Sequence, residues 1–391
     1  MTATRPLPVR RFDLDWLRIA AFGLLILYHV GLLYVPWPYQ AKSRHSVPAL
    51  VPLLQALNPW RLLLLFLISG VATRFMSGKL PLAQLLLSRS KRLLVPLVFG
   101  MFVIVPPQSF VQAIEQYGYT GDFNHFYWEY YLTGTQALCN TSGCLALPTW
   151  NHLWFVLYLY IYTILLVGLL MLARGIKYET RYAALPVLAF LTLPPLALAA
   201  ARVLLYRAYP PNDALLNDWY SHAIYGGFFL FGYFAATVGG FWDAMKWGRW
   251  PALMAAVLLL PSVWLAGGVL LPAPLASLAL PSSLGVPLYQ WTAIVAVCGF
   301  GQRWLPRTDG PLRRKLTEAV FPFYIIHQTV LVLCAYVLRS LYLPTALEAV
   351  IILGVTAAAC LGTFEFVQRF AVLRPLFGLR PLPEGVVLHA H

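Results

Sequence analysis

Apolar runs about 20 residues long recur through the chain, and each is long enough to cross a lipid bilayer as a helix. Hydrocarbon offers the backbone no water, so such runs must satisfy their N–H and C=O groups internally, as helices do. Ten runs are read, at roughly 14–36, 57–76, 92–114, 150–173, 182–206, 219–240, 250–271, 284–303, 316–340 and 346–370. Of the 391 residues 60% are hydrophobic and 11% charged, against about 25% charged in soluble domains. The expected fold class is an all-α integral membrane protein, a bundle of about ten transmembrane helices forming a single domain over 1–391.

The net charge of +14 could suit a nucleic-acid binder, but its distribution argues for no nucleic acid. With the N-terminus cytoplasmic, 21 of the 28 Lys and Arg fall in inner segments. Among them are Arg5, Arg10, Arg74, Arg174, Lys177, Arg181, Arg307 and Arg313. That asymmetry is what bilayer topology produces, and an even number of spans puts both termini in the cytoplasm. The first apolar run is a full span without a cleavage site, so no removable leader is expected. The stretch 115–149 then faces outside and is dense in aromatics, including Tyr119, Phe123, Phe126, Trp128 and Tyr131. It suits either an interfacial helix in the aromatic belt or a platform on which sugar rings stack. Within it Cys139 and Cys144 bracket four residues, as a local disulfide or as two free thiols.

The first run carries ionisable residues that a passive anchor would not need. Arg18 and His29 are eleven residues apart, which at about 100° per residue puts them on one helix face, roughly 16 Å apart along the axis. Asp15, Arg18, Phe22, Leu25 and His29 form one stripe of 3–4 spacing. A charged stripe on an apolar helix should face protein or a water-filled cavity. A neutral imidazole can take a proton from a hydroxyl, and a guanidinium suits phosphate or a polarised carbonyl. The plainer alternative is an Asp15–Arg18 pair at i, i+3 and a histidine bonded to a neighbouring helix.

Four further clusters stand out. Arg89 and Arg92 share a face at the mouth of the third run and could hold donor phosphates, or merely set topology. Phe66-Leu67-Ile68-Ser69-Gly70, with Arg61 nearby, permits close helix approach. Trp150-Asn151-His152-Leu153-Trp154 is an interfacial anchor or a hydroxyl-binding group. Phe321-Pro322-Phe323-Tyr324-Ile325-Ile326-His327-Gln328 carries a second intramembrane histidine, and Glu365 is buried by depth. Walker, dinucleotide-binding, HExxH and GxSxG patterns are absent from the sequence, so no metal is expected.

Arg18-x10-His29, the Phe66–Gly70 block and Arg89-x2-Arg92 before Pro96, in this order, resemble the membrane acyltransferase-3 superfamily. His152-Leu153-Trp154-Phe155 and Arg61 before Ser69-Gly70 look like the branch of glucan biosynthesis protein C. The resemblance implies transfer of a small acyl group, acetyl or succinyl, from cytoplasmic acyl-CoA to a hydroxyl of an extracytoplasmic carbohydrate. It implies a multi-pass protein of the bacterial inner membrane. Carried over by position, His29 is catalytic with Arg18 and Asp15, and Arg89, Arg92, Arg18 and Ser69 meet the acyl-CoA. Asn151, His152, Trp154, Arg61 and His327 are assigned to the acceptor. Apolar helix faces in the lipid bilayer would suit a homodimer. The competing expectation is a secondary transporter with a His/Arg pathway, although matched broken helices in two halves are not evident.

Overall fold

In the computed structural model, residues 11–135, 137–141, 143–173, 187–305 and 309–381 are described. The inner-face charges Arg5, Arg10, Arg174, Lys177, Arg181 and Arg307, and the start of the run at 182–206, lie outside the described residues. The helices are α1 (Phe12–Leu32), α2 (Val51–Ser77), α3 (Leu82–Phe99) and α4 (Pro106–Tyr117). After the strands β1 (Cys139–Asn140) and β2 (Gly143–Cys144) come α5 (Trp154–Leu172), α6 (Val187–Leu205) and α7 (Trp219–Ala235). The rest are α8 (Gly239–Trp247), α9 (Arg249–Ala266), α10 (Ser282–Trp304), α11 (Pro311–Leu338) and α12 (Thr345–Val367).

Among the described residues eight helices are long and apolar enough to cross a membrane, and up to ten spans result if each bent helix pair is one. The protein is an all-α polytopic membrane protein. One bend, of 44°, separates α3 and its π turn Gly100–Ile104 from α4. Pro106 and Pro107 follow the π turn after Val105, and both features break the regular i→i−4 ladder.

The chain divides into two compact units. The first comprises Met1–Ala21, Val51–Ser88 and Tyr158–Arg314, the second Phe22–Leu50, Arg89–Leu157 and Lys315–His391, as far as they are described.

In the first unit α2 and α7 cross at paired glycines. A Cβ on Gly70 would lie 2.0 Å from the Phe229 carbonyl oxygen, and one on Gly232 would lie 2.2 Å from that of Leu67. The two backbones therefore touch, which only side chains of minimal size allow. The Ser69-Gly70 pair in the sequence is one half of this crossing. α10 is the most deeply buried span; it packs on α9 through Val286, Tyr289 and Ala293 against Ala256 and Val263. At the start of α1, Asp15 accepts from Arg313 Nη1 at 2.6 Å and lies 3.7 Å from Arg18. Arg313 also binds Asp309 and covers the Phe12 ring at 4.6 Å; these contacts hold the exposed Asp309 carboxyl below the usual carboxylate range. The i, i+3 pair expected for Asp15 exists, but the buried Arg313 is its nearer partner.

In the second unit Val30, Leu33, Tyr34 and Tyr39 form a core with Val111, Leu331, Val332, Ala335 and Ile352. Lys42 folds back under the end of α1, donating to the Leu32 carbonyl at 2.5 Å, to Trp37 at 3.0 Å and to Val35. An ammonium at the negative end of a helix satisfies its last carbonyls, while burial pulls the Lys42 pKa below the usual lysine value. In the 115–149 segment Phe126 and Tyr131 are buried, and Tyr119 touches Phe110, Phe126 and Tyr130 edge-on. Trp128 stays exposed. Cys139 and Cys144 are disulfide-bonded across the β1–β2 pair. Arg339 pairs with Glu115, and Glu365, expected to be buried by depth, is half-exposed and bound by Lys315 at 2.5 Å.

The glycine crossing gives a direct test. Gly70→Ala should destabilise the detergent-solubilised protein by about 3 kcal/mol or more, because backbone rather than a mobile side chain must move. Gly23→Ala, where an added Cβ meets nothing within 4 Å, should stay within about 1 kcal/mol of the parent. Equal melting temperatures for the two variants would contradict the close approach.

Candidate active site

α1 runs unbroken from Phe12 to Leu32, so the stripe read from the sequence exists as one helix face. Phe22 and Leu25 on it are buried. Phe22 meets Phe155 and Tyr324 edge-on, with ring centroids 6.5 and 5.6 Å apart. His29 follows two turns later and is half-buried.

His29 Nδ1 lies 2.9 Å from Nε2 of His327, on α11, with the rings 7° from parallel. Backbone geometry fixes which nitrogen donates. His327 Nδ1 faces the carbonyl oxygens of Tyr324 at 2.8 Å and Phe323 at 3.1 Å. A carbonyl can only accept, so His327 Nδ1 carries the hydrogen and its neutral ring presents Nε2 as an acceptor. His29 must then donate from Nδ1, and its own Nε2 becomes the basic nitrogen. A histidine oriented in this way by a partner on its other nitrogen is a recurrent arrangement in metal and acid–base sites.

Around this pair the second unit builds a lattice of amides and hydroxyls. His152 sits at the entry to α5, where its Nε2–H donates to the Ile325 carbonyl at 3.1 Å and its Nδ1 faces Gln108 Nε2 at 3.4 Å. The His152 ring stands perpendicular to that of His327, 5.3 Å away. Tyr324 donates to the His152 carbonyl. Gln108 Nε2 also donates to Thr329 at 3.0 Å, and Thr329 to the Ile104 carbonyl at 2.8 Å. Gln328 Nε2 lies 3.1, 3.2 and 3.3 Å from the side-chain amide oxygens of Gln108, Asn151 and Gln40. That is one acceptor more than an amide nitrogen with two hydrogens can serve fully. Gln40 in turn donates to Asn151 at 2.8 Å. Asn151 holds a left-handed backbone, φ +44°, which asparagine tolerates better than most residues.

Of the residues singled out in the sequence, His29, His327, His152 and Asn151 thus meet in one network. Trp154 begins α5 beside it and is half-buried. Arg89 is buried and Arg92 half-buried, three residues apart on α3 of the same unit. Asp15, Arg18, Arg61 and Ser69 belong to the first unit: Arg61 is buried on α2, and the Ser69 carbonyl accepts from Thr73 at 2.7 Å. Gln40, Gln108 and Thr329 were not picked out from the sequence, and Gln328 only as the last residue of the Phe321–Gln328 cluster. Uncharged amides in apolar runs were their signal, since each must find a partner away from water. Among the described residues no group of three or more His, Cys, Asp or Glu could hold a metal ion.

An imidazole oriented through Nδ1, with Nε2 as its acceptor nitrogen, set among side-chain amides, is the kind of group that can perform general base chemistry on an alcohol. The family model Acyl_transf_3, an acyltransferase domain, matches residues 11–365. No curated protein and no solved structure matches the chain. With a match over nearly its whole length on a polytopic helical fold, the chain belongs to the acyltransferase-3 family and is a membrane acyltransferase.

Proposed function

We propose that this protein moves a small acyl group, acetyl or succinyl, from cytoplasmic acyl-CoA to a hydroxyl of an extracytoplasmic glycan, with His29 as general base. The observation that carries the reading is the 2.9 Å contact between His29 Nδ1 and His327 Nε2. On this reading His29 Nε2 takes the proton of the acceptor hydroxyl. The alcohol oxygen attacks the thioester carbonyl, the C–S bond breaks, and the thiolate leaves with the proton returned by His29.

Arg89 and Arg92 share a helix face at i, i+3 and suit the donor's phosphates, since guanidinium forks bind phosphate oxygens in pairs. Asn151, His152 and Trp154 suit a sugar: amide groups for hydroxyls and an indole for the apolar face of the ring. The Cys139–Cys144 disulfide supports placing 115–149 in an oxidising compartment. A bacterial inner membrane with a periplasmic glucan acceptor fits that placement and the residue pattern around His152, Arg61 and Ser69-Gly70.

Membranes carrying the protein should transfer label from acetyl-CoA or succinyl-CoA to glucan oligosaccharides. His29→Ala should lower that transfer by about 10²–10⁴-fold, the range for a general base, at unchanged expression. Uptake of a solute without any acyl transfer would overturn the reading in favour of a carrier. His327→Ala should lower kcat by about 10–100-fold, as losing an orienting partner does, and shift the pH profile while donor KM holds. Arg92→Gln should do the opposite, raising donor KM with kcat little changed.

A further inference from the structure

Tyr39 lies in the segment between α1 and α2. Its side chain is 8% exposed, and its hydroxyl is buried with no hydrogen-bond partner among the described residues. Its ring lies 6.0 Å from that of His29. Leaving a buried hydroxyl unpaired costs the full desolvation of that group, so a side chain free to move would turn it towards water.

Tyr39 cannot easily do so, because its segment is tied on every side. Gln116 donates to the Tyr39 carbonyl at 2.6 Å. The next residue, Gln40, is bonded to Asn151 at 2.8 Å. Lys42 ties the segment to the Leu32 carbonyl at the end of α1 and to the Trp37 carbonyl. The ring itself is packed in the core with Val30, Leu33 and Leu331. An orphan donor is thus held rigidly beside the proposed base.

We propose that the Tyr39 hydroxyl finds its partner in the reacting substrate and donates to the thioester carbonyl oxygen as negative charge builds on it. This rests on the acyl-transfer reading of His29. When the acceptor oxygen bonds to the carbonyl carbon, the π pair moves onto the carbonyl oxygen and the hydroxyl proton passes to His29 Nε2. Tyr39 keeps its own proton and stabilises the oxyanion by hydrogen bonding. Collapse restores the C=O bond, breaks the C–S bond and expels the thiolate. A donor fixed before the reaction stabilises such charge without reorganising.

Tyr39→Phe keeps the ring and removes only the hydroxyl, so the catalytic and structural roles predict different results. Purified full-length protein in liposomes is assayed with labelled acetyl-CoA and succinyl-CoA and glucan oligosaccharides, beside wild type and His29→Ala. The proposal expects kcat to fall about 10²–10³-fold, as for loss of one oxyanion donor, with donor KM unchanged and the melting temperature equal to wild type or higher. Undiminished kcat in Tyr39→Phe, a loss confined to KM, or a fall in activity that tracks a lower melting temperature would each overturn the Tyr39 assignment and leave His29 as it stands. A wild type that transfers no label from either donor would remove the acyl-transfer reading and the Tyr39 proposal with it.

Discussion

The second unit depends on a single proton placement. Two carbonyls of α11 accept from His327 Nδ1, and this decides in turn which nitrogens of His327 and His29 are basic. In water a histidine samples both tautomers and many orientations. Between apolar helices every polar atom needs a partner, so backbone geometry alone can set the order of donors and acceptors along a chain of rings. The amides of Gln40, Gln108, Gln328 and Asn151 extend the same logic outward, bonding to one another within the unit.

The fold was largely legible because its cause is one-dimensional. A run of about 20 apolar residues has a single way to satisfy its backbone in lipid, and the runs reappear as the helices described. Bends are less legible. Pro106-Pro107 was visible in the sequence, but the π turn just before it depends on packing, including Leu153 filling the space over Gly100. The same limit applies to Ser69-Gly70: a small pair announces a close approach, while its partner Gly232 lies more than 160 residues on and carries no mark of its own.

The site was legible where one helix carries the spacing. His29 and the inward stripe follow from helix periodicity, and Phe22 and Leu25 are buried as that periodicity requires. Pairings between helices were not. Nothing local says that His29 meets His327, that Asp15 meets Arg313 more closely than Arg18, or that Arg339 pairs with Glu115. Such contacts are set by which faces of distant segments turn together, which single-residue spacing does not encode.

The anchoring of His327 couples chemistry to mechanics. Its Nδ1–H is held by carbonyls three and four residues earlier on its own helix, so the ring is geared to the axial rotation of α11. Turning that helix by one residue, about 100°, would swing Nε2 out of reach of His29 and leave either imidazole nitrogen free to hold the proton. The order of donor and acceptor between the two rings is therefore tied to helix rotation, and a twist of α11 would change it without touching either ring.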